Sequence, residues 1–115
     1  MQREARLRKG SEFNSVYEEG TVIHGPFFVL RARPNDLGHP RWGFAVGKRL
    51  LRKATARNRV RRRLREAARQ SGVTGSMDLV LTARRSAIDA SFADLVKAIR
   101  KAARRAGLET TEARR

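Results

Sequence analysis

Residues 53 to 70 contain neither glycine nor proline, and within them Ala56, Val60, Leu64 and Ala67 recur at the spacing of one helical face. The pattern predicts the main helix of the chain. Arginine occupies six of the nine positions from Arg57 to Arg65, and Glu66 is the only acidic residue between Lys48 and Arg69. A helix of this composition repels itself, because like charges at i,i+4 such as Arg57/Arg61 and Arg61/Arg65 cost about 0.2–0.5 kcal/mol each. A bound polyanion reverses that cost. Opposite Val60 the periodicity places Asn58, Arg62, Arg65 and Arg69, with Arg59 and Arg61 on the flanks, so the helix is expected to show a broad guanidinium face.

The rest of the chain gives the helix few counterions. Lys and Arg number 27 against 11 Asp and Glu in 115 residues, a formal net charge of +16. Of the basic residues 22 are Arg and 5 are Lys. Forked, stackable guanidinium groups suit phosphates and bases better than a generally cationic surface does, which points to nucleic acid. The length allows one domain with a modest core. There is no cysteine, which excludes disulfides, thiolate metal sites and a cysteine nucleophile. No apolar run approaches a membrane span, and charges stand where a signal peptide would be apolar, so a cytoplasmic protein is expected.

Along the chain, residues 1–10 read as a basic flexible N-terminus, 11–106 as the domain and 107–115 as a frayed tail. Ser11 is expected to cap a short helix closed by Gly20, with Phe13, Val16 and Tyr17 on one face. Residues 27–33 and 41–47 read as antiparallel strands joined by the turn-rich segment 34–40, with Thr21-Val22-Ile23 as a further edge strand. Gly43, inside the second strand, marks a bulge or a close backbone approach. Residues 77–83 form another strand. Phe92, Leu95, Val96, Ile99 and Ala103 mark a last helix capped near Asp89 or Ser91. The order of elements argues for an α+β fold, a single-domain sandwich of helices on a small sheet.

Lys48, Arg49, Arg52 and Lys53, between strand and main helix, read as phosphate contacts. Phe13 and Tyr17 could stack bases, although spacing alone favours core packing for both; Trp42, Phe44 and Phe92 read as core. The glycines of Gly43-Phe44-Ala45-Val46-Gly47-Lys48-Arg49 are one residue too close for a nucleotide-binding phosphate loop, and Arg49 replaces its Ser or Thr. His24 and His39 read as loop residues without a second nearby ligand. Asp36, Asp78, Asp89 and Asp94 read as turn or cap residues, so no carboxylate cluster for metal-assisted hydrolysis can be assembled, and neither a catalytic nor a metal site is expected in the protein.

Ala56-Arg57-Asn58-Arg59-Val60-Arg61-Arg62-Arg63-Leu64-Arg65-Glu66 resembles the signature helix of the protein subunit of bacterial ribonuclease P. Phe13-Asn-Ser-Val-Tyr17, Leu37-Gly-His-Pro-Arg41, Gly43 to Arg49 and Asp78 to Arg84 stand at that family's spacing. The resemblance spans about residues 7 to 105. It implies a small mixed sheet packed with three helices, with a left-handed βαβ crossover against the usual rule. It implies a non-catalytic subunit of an RNA-based endoribonuclease that removes the 5′ leader of precursor tRNA, with Mg2+ held mainly by the RNA subunit and substrate. Arg57, Asn58, Arg59, Arg61, Arg62 and Arg65 would then face the catalytic RNA, while Phe13 and Tyr17 would line the leader cleft. Arg31 stands where the family often has an aromatic residue, so contact with the leader there would be by charge or guanidinium stacking. No obligatory protein partner is implied. A ribosomal-type RNA-binding protein would share the charge and size but has no reason to show these motifs together; a protein-only nuclease is the third class.

Overall fold

A computed structural model describes residues 2–111 of the chain. Its elements in order are α1 (Gly10–Glu19), β1 (Thr21–His24), β2 (Phe28–Pro34), β3 (Arg41–Ala45), α2 (Ala54–Ser71), β4 (Val73–Thr74), β5 (Met77–Ala83), α3 (Phe92–Arg105) and β6 (Glu109–Thr110). The main sheet has the order β1-β2-β5-β3, antiparallel except for the parallel pair β3 and β5. The two parallel strands are joined through α2, because a parallel pair needs a crossover. The fold is α+β: three helices packed on a mixed sheet.

Strand alternation divides the sheet into two unequal faces. Phe28, Leu30 and Ala32 of β2, Leu79 and Leu81 of β5 and Ile23 of β1 meet α2 and α3, which contribute Val60, Leu64, Ala67, Leu95 and Ile99 to the main core. The opposite face carries α1 over a small cluster of Leu7, Val16 and Val80, with Phe13 against it. Ala56, at the start of the expected apolar stripe of α2, is only half-buried, since the helix begins beyond the sheet edge. Gly72 ends α2 in the left-handed conformation at φ 72°, where a side chain would be strained. Ser91 caps α3, its hydroxyl accepting from the Asp94 N–H at 3.1 Å.

Several boundaries differ from the sequence reading. Ser11 is not the cap of α1; the helix begins one residue earlier, and the carboxylate of Glu12 reaches back to accept from the N–H groups of Arg8 at 2.8 Å and Lys9 at 3.0 Å. Residues before Ser11 belong to the domain: Leu7 is buried, and its N–H donates to the Trp42 carbonyl at 2.8 Å along the outer edge of β3. That contact covers an otherwise open edge strand. β3 stops at Ala45, and Gly47 accepts from the N–H groups of Leu50 and Leu51 in a turn before α2. The expected tail pairs in part, Glu109 and Thr110 lying antiparallel to Thr74 and Val73; its last residues, 112–115, lie outside the described residues. Gly43 marks a close approach without a bulge, since the ladder with β5 is unbroken and a Cβ there would collide with the Phe13 ring.

Asp78 departs most from expectation. It lies inside β5, 3% exposed, and accepts from Arg41 Nε at 2.9 Å, Arg41 Nη2 at 2.8 Å and Asn35 Nδ2 at 2.9 Å. Arg41 Nη1 also donates to Glu12 Oε2 at 2.9 Å, which joins α1 to β3 and β5. The backbone N–H groups of Lys9 and Arg8, with the Arg41 guanidinium, hold the Glu12 carboxyl at about 2 instead of 4.5. Unfolded Glu12 binds its proton more readily, so the stabilisation is complete above about pH 4.5 and is lost as the pH falls toward about 2. Denaturant unfolding at about pH 6 and about pH 3 should therefore show a larger loss for the parent than for Glu12→Gln; equal losses would mean that Glu12 is not held as a carboxylate.

Candidate nucleic-acid interface

The arginines of α2 fall into distinct sets. Arg59, Arg62 and Arg69 are exposed, as is Asn58. Arg69 pairs with Glu66, whereas Asn58 accepts from Arg61 Nη1 at 2.6 Å. Arg57 is turned back to the loop, Nη1 donating to the carbonyls of Leu51 at 2.9 Å and Arg52 at 2.7 Å. Arg63 donates to the Ala90 carbonyl at 2.8 Å and ties α2 to the start of α3. Two of the six arginines between positions 57 and 65 thus support the backbone.

Arg65 is not on the outward pole. At i,i+4 spacing Arg57, Arg61 and Arg65 share a flank, and the buried sector of α2 extends past Val60 to Ala68, which turns that flank toward β3. The Arg65 guanidinium lies 5.9 Å from the centre of the Phe44 ring, and its Nε is buried with no hydrogen-bond partner. Burial first, then the charges of Arg6, Arg62 and Arg61, lower its pKa. Arg65 and Arg61 line a groove of about 490 Å³ together with Arg3, Arg6, Arg8, Phe13, Trp42 and Phe44. Trp42 is buried and stacks on Phe44 with ring centres 6.0 Å apart, while Phe44 and Phe92 are only half-buried at the margins of the core. Nothing in the spacing of Arg3, Arg6 and Arg8 marks them as groove residues; Leu7, one apolar residue among basic ones, is the signal that this segment packs.

Lys48, Arg49, Arg52 and Lys53 are exposed, on or beside the turn that leads into α2. On the other face of the sheet, Tyr17 is 42% exposed and the Arg31 guanidinium lies 5.1 Å from its ring centre. Phe13 rests on Gly43. Beside α1, Val29, Thr82 and Ala45 form a half-exposed row across three strands, so α1 covers only part of its face. Phe13, Tyr17 and Arg31 therefore share one side of the sheet, and the exposed α2 residues another. His24 Nδ1 lies 3.3 Å from Arg84 Nη2, and His39 Nδ1 lies 3.2 Å from the Pro40 carbonyl. Among the described residues no three His, Asp or Glu side chains come together as metal ligands.

A small α+β sandwich with an arginine-covered helix on one side and Phe13, Tyr17 and Arg31 together on the other has the charge pattern of an RNA-binding domain. Comparison with known proteins makes the class specific. The family model described as Ribonuclease P matches residues 1–107. The chain is 37% identical over 100 residues to the ribonuclease P protein component of Methylococcus capsulatus, covering 86% of this chain and 78% of that one. The RNase P protein of Staphylococcus aureus superposes with a TM-score of 0.74 at 26% identity, covering 89% of this chain and 94% of that one. That of Thermotoga maritima gives 0.73 at 26% identity, covering 82% and 90%. The chain belongs to the ribonuclease P protein family. Its role is that of the non-catalytic protein component of an RNA-based hydrolase that processes the 5′ ends of tRNA.

The two sets of arginines should separate in stability. Arg57→Ala and Arg63→Ala lose hydrogen bonds to backbone carbonyls and should each cost about 1 kcal/mol, while Arg59→Ala and Arg62→Ala should stay within about 0.5 kcal/mol of the parent. Melting curves of the four variants provide the check; identical midpoints would remove the distinction.

Proposed function

We propose that the α2 side of the protein binds the catalytic RNA of ribonuclease P and that the cleft between α1 and the sheet binds the 5′ leader of precursor tRNA. The observation that carries this reading is the arginine-lined groove at the edge of β3, where the guanidinium of Arg65 has a buried Nε without an acceptor. A phosphate group supplies the missing negative charge. Arg59 and Arg62 contact RNA from the outer face of α2, with Asn58, Arg61 and Arg65 beside them. Arg57 contributes mainly by holding the loop of Lys48, Arg49, Arg52 and Lys53 in place for phosphate.

The leader differs in sequence from one precursor to another, so its reader must rely on backbone charge and base faces. Phe13, Tyr17 and Arg31 offer both. Mature tRNA lacks the leader, and the cleft thereby favours substrate over product. Hydrolysis belongs to the RNA subunit, which with the substrate holds the magnesium ions. The reaction takes place in the cytosol and needs no second protein.

Cleavage of precursor tRNA should require protein and RNA subunit together at near-physiological magnesium; robust cleavage by RNA-free protein would overturn the assignment of chemistry to the RNA. Arg59→Ala and Arg62→Ala should each weaken assembly with the RNA subunit and lower the slope of log affinity against log salt by roughly 0.7 to 0.9, the equivalent of one phosphate contact. Unchanged affinity and slope in both would place the RNA surface elsewhere.

A further inference from the structure

α1 is fastened to the sheet at both ends by carboxylates that meet arginines from the strands beneath. At its start Glu12 Oε2 accepts from Arg41 Nη1 at 2.9 Å, and at its end Glu19 Oε1 accepts from Arg33 Nε at 2.6 Å. The two fastenings are unequal. The Glu19 side chain is 58% exposed and Arg33 35%, a pair that water screens. Glu12 and Arg41 are each 21% exposed, and Arg41 is itself gripped by Asp78, whose side chain is 4% exposed. Arg41 cannot swing away without leaving a buried carboxylate unpaired.

The stronger fastening lies next to the cleft. Phe13 follows Glu12 and rests on Gly43, which is two residues beyond Arg41 and on the same face of β3. Tyr17 stands about one helical turn further on, over Arg31. Apart from these ion pairs α1 is held by the small cluster of Leu7, Val16, Val80 and Phe13.

We propose that the contact of Arg41 with Glu12, anchored by Asp78, is a positioning device that sets α1 over the sheet and so determines how strongly the holoenzyme prefers precursor to mature tRNA. The inference rests on the reading of the cleft as the leader site. Arg41 need not touch the leader; it acts through Glu12 on the rings of Phe13 and Tyr17. A stacking platform is useful only when its rings keep a fixed angle and height, and a half-buried guanidinium gripped by Asp78 gives α1 that fixed point.

The test uses holoenzyme reconstituted with Glu12→Gln. Glutamine can still accept from the N–H groups of Arg8 and Lys9, but it withdraws the charge facing Arg41 and leaves the Arg41 pair with Asp78 intact. Affinities for precursor and mature tRNA are measured for the parent, for Glu12→Gln, for Phe13→Leu with Tyr17→Ala, and for all three changes together. Glu12→Gln should lower the precursor-to-mature ratio by about three- to tenfold, leave mature tRNA binding unchanged, and add almost nothing once the two rings are gone. Arg41→Lys, which keeps a charge but loses the fork, should fall between the parent and Glu12→Gln, and it decides the matter if Glu12→Gln does not melt cooperatively. A loss shared equally by precursor and mature tRNA, or one that adds in full to the loss of the rings, would mark a general structural effect and overturn the proposal. If removing the rings abolishes the preference while Glu12→Gln and Arg41→Lys keep it, only the positioning role fails. If removing the rings changes nothing, the cleft reading fails and the positioning role with it.

Discussion

Asp78 sits on the central strand β5 with almost no surface in water, and the cost of keeping a carboxylate there is offset by two hydrogen bonds from Arg41 and one from Asn35. The arrangement reaches far from the strand itself. Asn35 ties the segment that joins β2 to β3, its side-chain oxygen accepting from the Leu37 N–H at 2.9 Å. Arg41 fixes β3 beside β5 and, through Glu12, fixes α1 on the outer face of the sheet. Charge-assisted bonds in a half-dry site are stronger than their surface equivalents and also stricter in geometry. One buried acid thereby determines where the helix bearing Phe13 and Tyr17 comes to rest.

The same interaction shows how a chain with 27 basic and 11 acidic residues divides its few carboxylates. Glu12, Glu19 and Asp78 serve the α1 side of the sheet, and Glu66 pairs with Arg69 on α2. Among the described residues no Asp or Glu lines the groove at the edge of β3. Burial, and after it the charges of Arg6, Arg62 and Arg61, lower the pKa of Arg65. A protein alone gains nothing from such a cluster, since self-repulsion opposes the compact state. A phosphate backbone would turn the repulsion into affinity.

Arginine has three uses in this molecule that its spacing along the chain does not separate. Arg59 and Arg62 extend into solvent; Arg57, Arg63 and Arg41 brace the backbone or a buried carboxylate; Arg65 and Arg31 lie over the rings of Phe44 and Tyr17. A guanidinium group can do each of these because it is planar, carries five donors and sheds water more readily than an ammonium group. Lysine in the bracing positions would keep the charge and lose the fork.

Much of the architecture was legible in the sequence. The 3.6-residue period of Val60, Leu64 and Ala67, the alternation in residues 77 to 83 and the caps at Gly20, Gly72 and Ser91 are local signals, and local sterics and hydrogen bonding make them nearly independent of the rest of the chain. The charge excess likewise required no structure to indicate a polyanion. The placement of Leu7, the role of Asp78 and the turning of Arg57 and Arg65 away from the outer face were not legible. Asp78 resembled a turn residue because the partners that make it tolerable in a strand, Asn35 and Arg41, are 43 and 37 residues away. A periodicity centred on Val60 puts Arg65 on the outer pole, while the true buried sector depends on how α2 leans on α3 and on the edge of β3. The sequence by itself determined which segments form helices and strands and what kind of partner the charge demands, since those follow from neighbours a few residues apart. Only the tertiary structure decided which arginines stand exposed and which hold the fold, because burial and pairing are set by residues that the chain brings together from far along its length.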